Sequence, residues 1–182
     1  MKNIKTYEQV LSEGVEWVSY TGEYLIPSLD GEGAALWLGS DGSLKNRDLS
    51  GEHVRDADFK GEDLSGSNLS ECDLSGSSFR SCILRGVDFT EALIHDVSFV
   101  GADLTEAKGL HTCEGILFAK FQGADLTGVD DEFFHKVILE SNRRDDKGFS
   151  ITEFFKDCKG VPGWTEEKLK RMKRSRGAFG RF

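Results

Sequence analysis

The residues best suited to chemistry in this sequence are His111 and Cys113, which lie two positions apart. A cysteine thiolate beside an imidazole base is a pairing used for nucleophilic catalysis. Nothing else in the sequence assembles into an active site around this pair. We therefore predict that the chain is not an enzyme and has no catalytic residues.

Patterns that would bind a metal ion are incomplete. In the segment DADFKG, residues 56–61, Lys60 stands where a calcium loop needs a third oxygen ligand, and Ser67 stands where it needs glutamate. His53 and His95 are predicted to lie about 10 Å apart, two strand spacings, which is too far for one shared ion. The sequence therefore predicts no metal site and no cofactor.

The most regular feature of the sequence is an apolar residue at every fifth position. A small residue often lies two positions before it, Asp or Asn commonly lies between them, and glycine recurs two positions after it. A period of five fits neither a helix nor a strand, and a fixed internal period indicates a repeat architecture. The thirteen apolar positions are Leu44, Leu49, Val54, Phe59, Leu64, Leu69, Leu74, Phe79, Leu84, Phe89, Ile94, Phe99 and Leu104.

This pattern resembles the pentapeptide repeat family, whose motif is a small residue, Asp or Asn, Leu or Phe, and two variable residues. The match covers residues 42–106 and resumes at 119–121 and 124–126. The resemblance implies an all-β solenoid, a right-handed quadrilateral β-helix in which four pentads make one coil, here with about four coils. It also implies a partner class, because some members of the family bind DNA gyrase in place of DNA.

A four-sided coil of 20 residues predicts that side chains 20 positions apart stack in ladders. Positions 44, 64, 84 and 104 are all leucine, and positions 59, 79 and 99 are all phenylalanine. Coils stack at the strand spacing of about 4.8 Å, where side chains of like shape nest against each other. Cys72 and Cys82 fall in small inward positions and are predicted to be core residues without a disulfide bond.

The repeat divides the chain into three predicted parts. Residues 1–43 form an N-terminal α/β cap, residues 44–129 form the β-helix, and residues 130–182 form a helical C-terminal extension with a basic tail. Caps are expected because a solenoid has two open ends. The spacing of five slips after Leu104, so residues 107–115 are predicted to protrude as a loop.

The net charge of −9 is unevenly distributed along the chain. Residues 1–132 carry a net charge of −15, whereas residues 133–182 carry +6. The candidate binding residues are four acids on the predicted side that contains Leu49: Asp48, Glu71, Asp88 and Glu91. The basic tail comprises Lys168, Lys170, Arg171, Lys173, Arg174 and Arg176.

These charges predict a non-enzymatic protein-interaction protein. An acidic stripe on a rod imitates the charge of a DNA duplex, which indicates an inhibitor that binds a nucleic-acid enzyme, such as a topoisomerase, gyrase, or a nuclease or defence complex. The alternative is a structural or scaffold component, such as a phage assembly protein, anchored by the basic C-terminal segment. Direct contact of that tail with nucleic acid and formation of a homodimer are left open.

Hydropathy predicts the cellular location. No apolar run approaches the 18 or so residues needed to span a bilayer, and the N-terminus lacks an apolar signal segment. The four cysteines lack metal-binding spacing and suit a reducing compartment. The sequence therefore predicts a cytoplasmic protein without a membrane partner.

Overall fold

A computed structural model describes residues 24–26, 34–36, 43–143, 149–163 and 167. The basic tail residues and most of the predicted N-terminal cap lie outside these ranges. No helix among the described residues is long and apolar enough to cross a lipid bilayer.

The regular elements are few and short. Strands β1 (Tyr24–Ile26) and β2 (Ala34–Leu36) pair in antiparallel orientation. Helices α1 (Asp131–Arg143) and α2 (Ile151–Phe154) follow the repeat. Between the strands and the helices, the chain is organised by pairing between successive circuits.

The repeat follows a β-helical path in which parallel bridges join positions one circuit apart. One ladder joins Asp48, Asn68, Asp88 and Lys108. Each side contributes so few residues that the pairs form isolated bridges and not continuous strands. Three further ladders make a path with four sides, and they begin at His53, Asp58 and Asp63. The ladders confirm the predicted β-helix.

Stacked rings fill one row of the interior. The ring centroids of Phe59 and Phe79 lie 4.5 Å apart, those of Phe79 and Phe99 5.6 Å, and those of Phe99 and Phe121 5.0 Å. All four side chains are fully buried. The leucines at positions 44, 64, 84 and 104 are also buried, as the spacing of 20 predicts. The interior is therefore a packed core.

Where the small position of the motif is serine or cysteine, its side chain donates a hydrogen bond to the preceding coil. The Ser77 hydroxyl donates to the carbonyl of Val54 at 2.6 Å, and the Cys82 thiol donates to the carbonyl of Phe59 at 2.9 Å. Serine and cysteine suit this position because each pairs a short side chain with a donor. Cys72 is likewise buried, and all the cysteines are free, as predicted.

The Asp or Asn of each motif closes a local turn. Asp103 Oδ1 accepts hydrogen bonds from the Thr105 backbone N–H at 3.1 Å and from its hydroxyl at 2.6 Å. Burial raises the pKa of Asp103, but hydrogen bonds from Thr105 and Arg85 outweigh it, so this pKa lies below its ordinary value. A short acceptor side chain at this position stabilises the turn, which explains the motif.

The segment 107–115 does not protrude as the interrupted spacing predicts. Glu114 pairs with Leu93 in the wall, and Leu110 and Ile116 are fully buried in the core. Two successive six-residue units therefore replace two pentads. The segment stays in the wall because each unit accommodates one extra residue while its apolar residue, Leu110 or Ile116, remains in the interior.

Glycine is the extra residue in both units. Gly109 and Gly115 have φ of +72° and +82°, in the left-handed region. A Cβ atom on Gly109 would lie 2.4 Å from the backbone nitrogen of Thr90, and one on Gly115 would lie 2.6 Å from the His95 ring. Only glycine permits this backbone conformation at such close approach.

The C-terminal segments pack against the last described circuit. Phe133 of α1 and Phe154 of α2 each place their rings 5.4 Å from Phe121. Beyond α2, Lys159 forms a parallel bridge with Asp125. Residues after the repeat thus extend the ladder by one further pairing, which the period of five does not predict.

Candidate interaction surface

Ion pairing differs between the side that contains Leu64 and the predicted binding acids. On the side that contains Leu64, Lys45 lies 2.7 Å from Asp63 and Arg85 lies 2.6 Å from Asp103. By contrast, within the described residues no ion pair involves the predicted binding acids: Asp48, Glu71, Asp88 and Glu91. We call these four residues the acidic side.

Two members of the acidic side accept hydrogen bonds that stabilise the fold. Asp48 Oδ1 accepts from the Ser50 hydroxyl at 2.8 Å and from the Asn68 amide at 3.0 Å. These hydrogen bonds, that of Ser50 above all, hold the pKa of Asp48 below its ordinary value. Asp88 Oδ1 accepts from the Thr90 hydroxyl at 2.5 Å. Both aspartates therefore stabilise turns, and their negative charge is a secondary consequence of that role.

The two glutamates have no such structural role. Glu71 and Glu91 occupy the same corner of successive circuits, with φ of 60° and 59°, where glycine is favoured. In the next corner along the chain, Gly76 separates Asp56 from Asp96, and all three have positive φ. The acidic corner instead stacks two glutamates, whose backbones lie about one strand spacing, 4.8 Å, apart. The positive φ of the turn favours glycine at these positions, and the like charges of the two glutamates repel each other. Neither effect favours this arrangement.

The row of acids on the acidic side ends where its ladder reaches a lysine. Its ladder continues from Asp88 to Lys108, which is exposed. The opposite side carries exposed bases at Lys60, Arg80 and Lys120. The predicted acids therefore lie on one side and on successive rungs, as the spacing predicted. Their role in binding is a proposal.

The candidate nucleophile does not pair with its neighbouring histidine. The Cys113 thiol is buried and donates to the carbonyl of Phe89 at 3.1 Å, and burial raises its pKa to about 12. His111 instead directs its two ring nitrogens toward Asp130 and Glu132. A thiolate is the reactive form of cysteine, so this thiol is unsuited to nucleophilic attack.

Replacing Glu91 by glycine is expected to stabilise the protein by about 1 kcal/mol, because a non-glycine residue in the left-handed region costs roughly that much. Glu91→Ala is the matched control, since it removes the charge but keeps the Cβ atom. Chemical denaturation measures both unfolding free energies. A glycine variant no more stable than the alanine variant would show that the corner backbone is unstrained.

The repeat matches an established family model. The model of pentapeptide repeats matches the chain in eight copies, at residues 43–76 and 72–108. The chain belongs to the pentapeptide repeat family. The right-handed β-helix of pentapeptide repeat proteins agrees with the four ladders found here, and the family motif accounts for the buried, turn-closing and small positions described above.

Solved structures of other pentapeptide repeat proteins are similar to parts of the chain. One from Nostoc PCC 7120 is 34% identical, and the alignment covers 43% of this chain and 68% of that one, with a TM-score of 0.25. One from the thylakoid lumen of Arabidopsis thaliana is 25% identical over 53% and 74% of the two chains, with a TM-score of 0.32.

A third similar structure is QnrB1, a plasmid-mediated fluoroquinolone resistance protein. It is 17% identical over 71% of this chain and 62% of its own, with a TM-score of 0.34. The chain thus spans less than two thirds of QnrB1. No curated protein sequence matches the chain.

Proposed function

We propose that this pentapeptide repeat protein is a non-enzymatic interaction protein whose acidic side binds the basic nucleic-acid groove of a partner protein. The observation that carries the proposal is the pattern of charge. Acids on the Leu64 side are neutralised by neighbouring bases, whereas those of the acidic side lie in no ion pair among the described residues. A regular row of unneutralised carboxylates on a rigid scaffold favours a basic partner.

The spacing of these charges defines how closely the surface imitates DNA. Glu71 and Glu91 lie one circuit apart, about 4.8 Å, and Asp48 and Asp88 lie two circuits apart, about 10 Å. A DNA strand carries one phosphate per about 3.4 Å. The acidic side is therefore a sparse and partial imitation of DNA. We infer that it inhibits a topoisomerase, gyrase, or a nuclease or defence complex by occupying part of its groove.

Salt and DNA competition test this proposal. Affinity capture with the intact chain identifies candidate partners, and each purified partner is then titrated at increasing ionic strength. We expect affinity to fall as salt rises, because exposed charges are screened, and duplex DNA to displace the protein. Affinity that changes with neither salt nor duplex DNA would contradict the proposal.

We also propose how the chain is divided into a β-helix and two caps. We infer about four coils over residues 44–129, closed by a cap at 1–43 and by the helical extension at 130–182. We also infer that the protein acts in the cytoplasm. The ring contacts of Phe133 and Phe154 with Phe121 support a C-terminal closure.

The net charge of +6 over residues 133–182 favours one alternative. In it the chain is a scaffold component, such as a phage assembly protein, anchored by its basic tail to nucleic acid or to an acidic surface. Removing residues 165–182 separates the two functions, because a scaffold would lose assembly while binding through the acidic side would persist. The same truncation tests whether the C-terminal segment supports a homodimer.

A further inference from the structure

A histidine and two carboxylates meet where the repeat gives way to helix α1, away from the acidic side. His111 Nδ1 lies 3.1 Å from Asp130 Oδ2, and His111 Nε2 lies 3.4 Å from Glu132 Oε2. One ligand atom from each of the three residues lies within 4.8 Å of the others. The cluster joins two segments that are about 20 positions apart in sequence.

The fold holds these residues in place. Asp130 caps helix α1, since its Oδ1 accepts from the Phe133 backbone N–H at 2.9 Å, which leaves Oδ2 directed at His111. Lys136 of α1 donates to the carbonyl of Cys113 at 2.6 Å, so the helix is tied to the six-residue unit that carries the histidine. The backbone around both halves of the cluster is therefore anchored.

We propose that His111, Asp130 and Glu132 bind a divalent transition-metal ion of the zinc class. One imidazole nitrogen and two carboxylate oxygens are ligands that zinc accepts, with bonds of about 2.0–2.2 Å. Ligand atoms around a tetrahedral ion at that range lie about 3.4 Å apart, whereas the three ligand atoms here, one from each residue, lie within 4.8 Å of one another. Binding would therefore draw them closer together. Calcium and magnesium prefer oxygen ligands throughout, so the imidazole favours zinc over them.

Binding requires only a small rearrangement. In the structure each carboxylate faces a different nitrogen of the ring, whereas one ion uses a single nitrogen. The Glu132 side chain is 72% exposed and can swing to the nitrogen that faces Asp130. The bound ion would cross-link α1 to the wall of the β-helix and stabilise the folded state. This site is independent of the partner-binding proposal.

Calorimetric titration of the intact, tag-free chain with Zn²⁺ tests the site. We expect one ion per chain, with affinity lowered at least about 10-fold in His111→Ala, since loss of an outer-shell partner alone costs that much. Asp130→Asn keeps a capping side chain, and Glu132→Gln lies at an exposed position, so both report on ligation without loss of the fold. Both are expected to weaken binding.

His53→Ala is the matched control, because His53 is exposed on another side. All histidines and cysteines of the chain lie within the described residues, and Cys72, Cys82 and Cys113 are buried. Few other nitrogen or sulfur ligands are therefore available to compete for Zn²⁺. The proposal is overturned if Zn²⁺ does not bind stoichiometrically, if His53→Ala weakens binding as much as His111→Ala, or if Ca²⁺ binds equally well without His111. Absence of binding would leave a histidine that simply bridges two carboxylates.

Discussion

Replacing Phe79 by alanine is expected to lower the unfolding free energy by about 3–5 kcal/mol. Phe79 is fully buried between Phe59 and Phe99, with ring centroids at 4.5 and 5.6 Å. Its removal leaves a cavity and breaks contact between successive coils, on which the stability of a solenoid depends. Most domains are stable by only about 5–15 kcal/mol, so the variant should unfold at much lower denaturant concentration.

Phe118→Ala is the control for this experiment. Phe118 is also a phenylalanine of the β-helix but is 42% exposed, so its loss should cost far less. Urea unfolding followed by circular dichroism compares the two variants with the parent chain. Equal destabilisation by both substitutions would mean that the stacked rings are not the main support of the coils.

Reversing the charges of Glu71 and Glu91 together should weaken partner binding about 100-fold. Loss of a desolvated charge contact costs roughly 2–5 kcal/mol, and 2.7 kcal/mol corresponds to 100-fold in affinity. Lysine at these corners keeps a non-glycine residue in the same backbone conformation, so stability should change little. Affinity for the captured partner measures the effect of Glu71→Lys/Glu91→Lys.

A second double variant makes this result specific. Asp96 and Glu106 are exposed corner acids with φ of 57° and 58°, but they lie at other corners. Asp96→Lys/Glu106→Lys therefore changes the net charge equally and should leave affinity within a few-fold of the parent chain. Equal losses in the two double variants would indicate attraction to overall charge and not to the acidic side.

The period of five was enough to predict the winding of the chain. Each apolar position meets the one 20 residues away, so Phe59, Phe79 and Phe99 stack as the spacing requires. Inward serines and cysteines follow from the same register. These features were predictable because every circuit repeats one set of local contacts.

The irregular segments were not predictable in this way. The slip in spacing at residues 107–115 is compatible with a protruding loop or with added residues in the wall. The bridge between Glu114 and Leu93 and the burial of Leu110 and Ile116 distinguish the two, and neither can be read from the spacing. The bridge between Lys159 and Asp125 joins positions separated by two helices. Its one sequence signal is Cys158, a residue type suited to the small position.

The candidate metal cluster is not predictable from the sequence for a related reason. His111 and Cys113 are close in sequence, whereas the fold places His111 against Asp130 and Glu132. No spacing motif joins residues that meet only because α1 packs against the wall. Likewise, the spacing placed the four acids on one side, but the structure separates the turn-forming aspartates from the corner glutamates.

Carboxylate footprinting of the complex tests whether the partner binds the acidic side. Chemical labelling of free and partner-bound protein, read by mass spectrometry, reports the exposure of each acid. We expect strong protection of Glu71 and Glu91 on binding, with Asp96 and Glu106 labelled as in the free chain. Unchanged labelling of Glu71 and Glu91, with protection elsewhere, would place the partner on another surface and contradict the proposal.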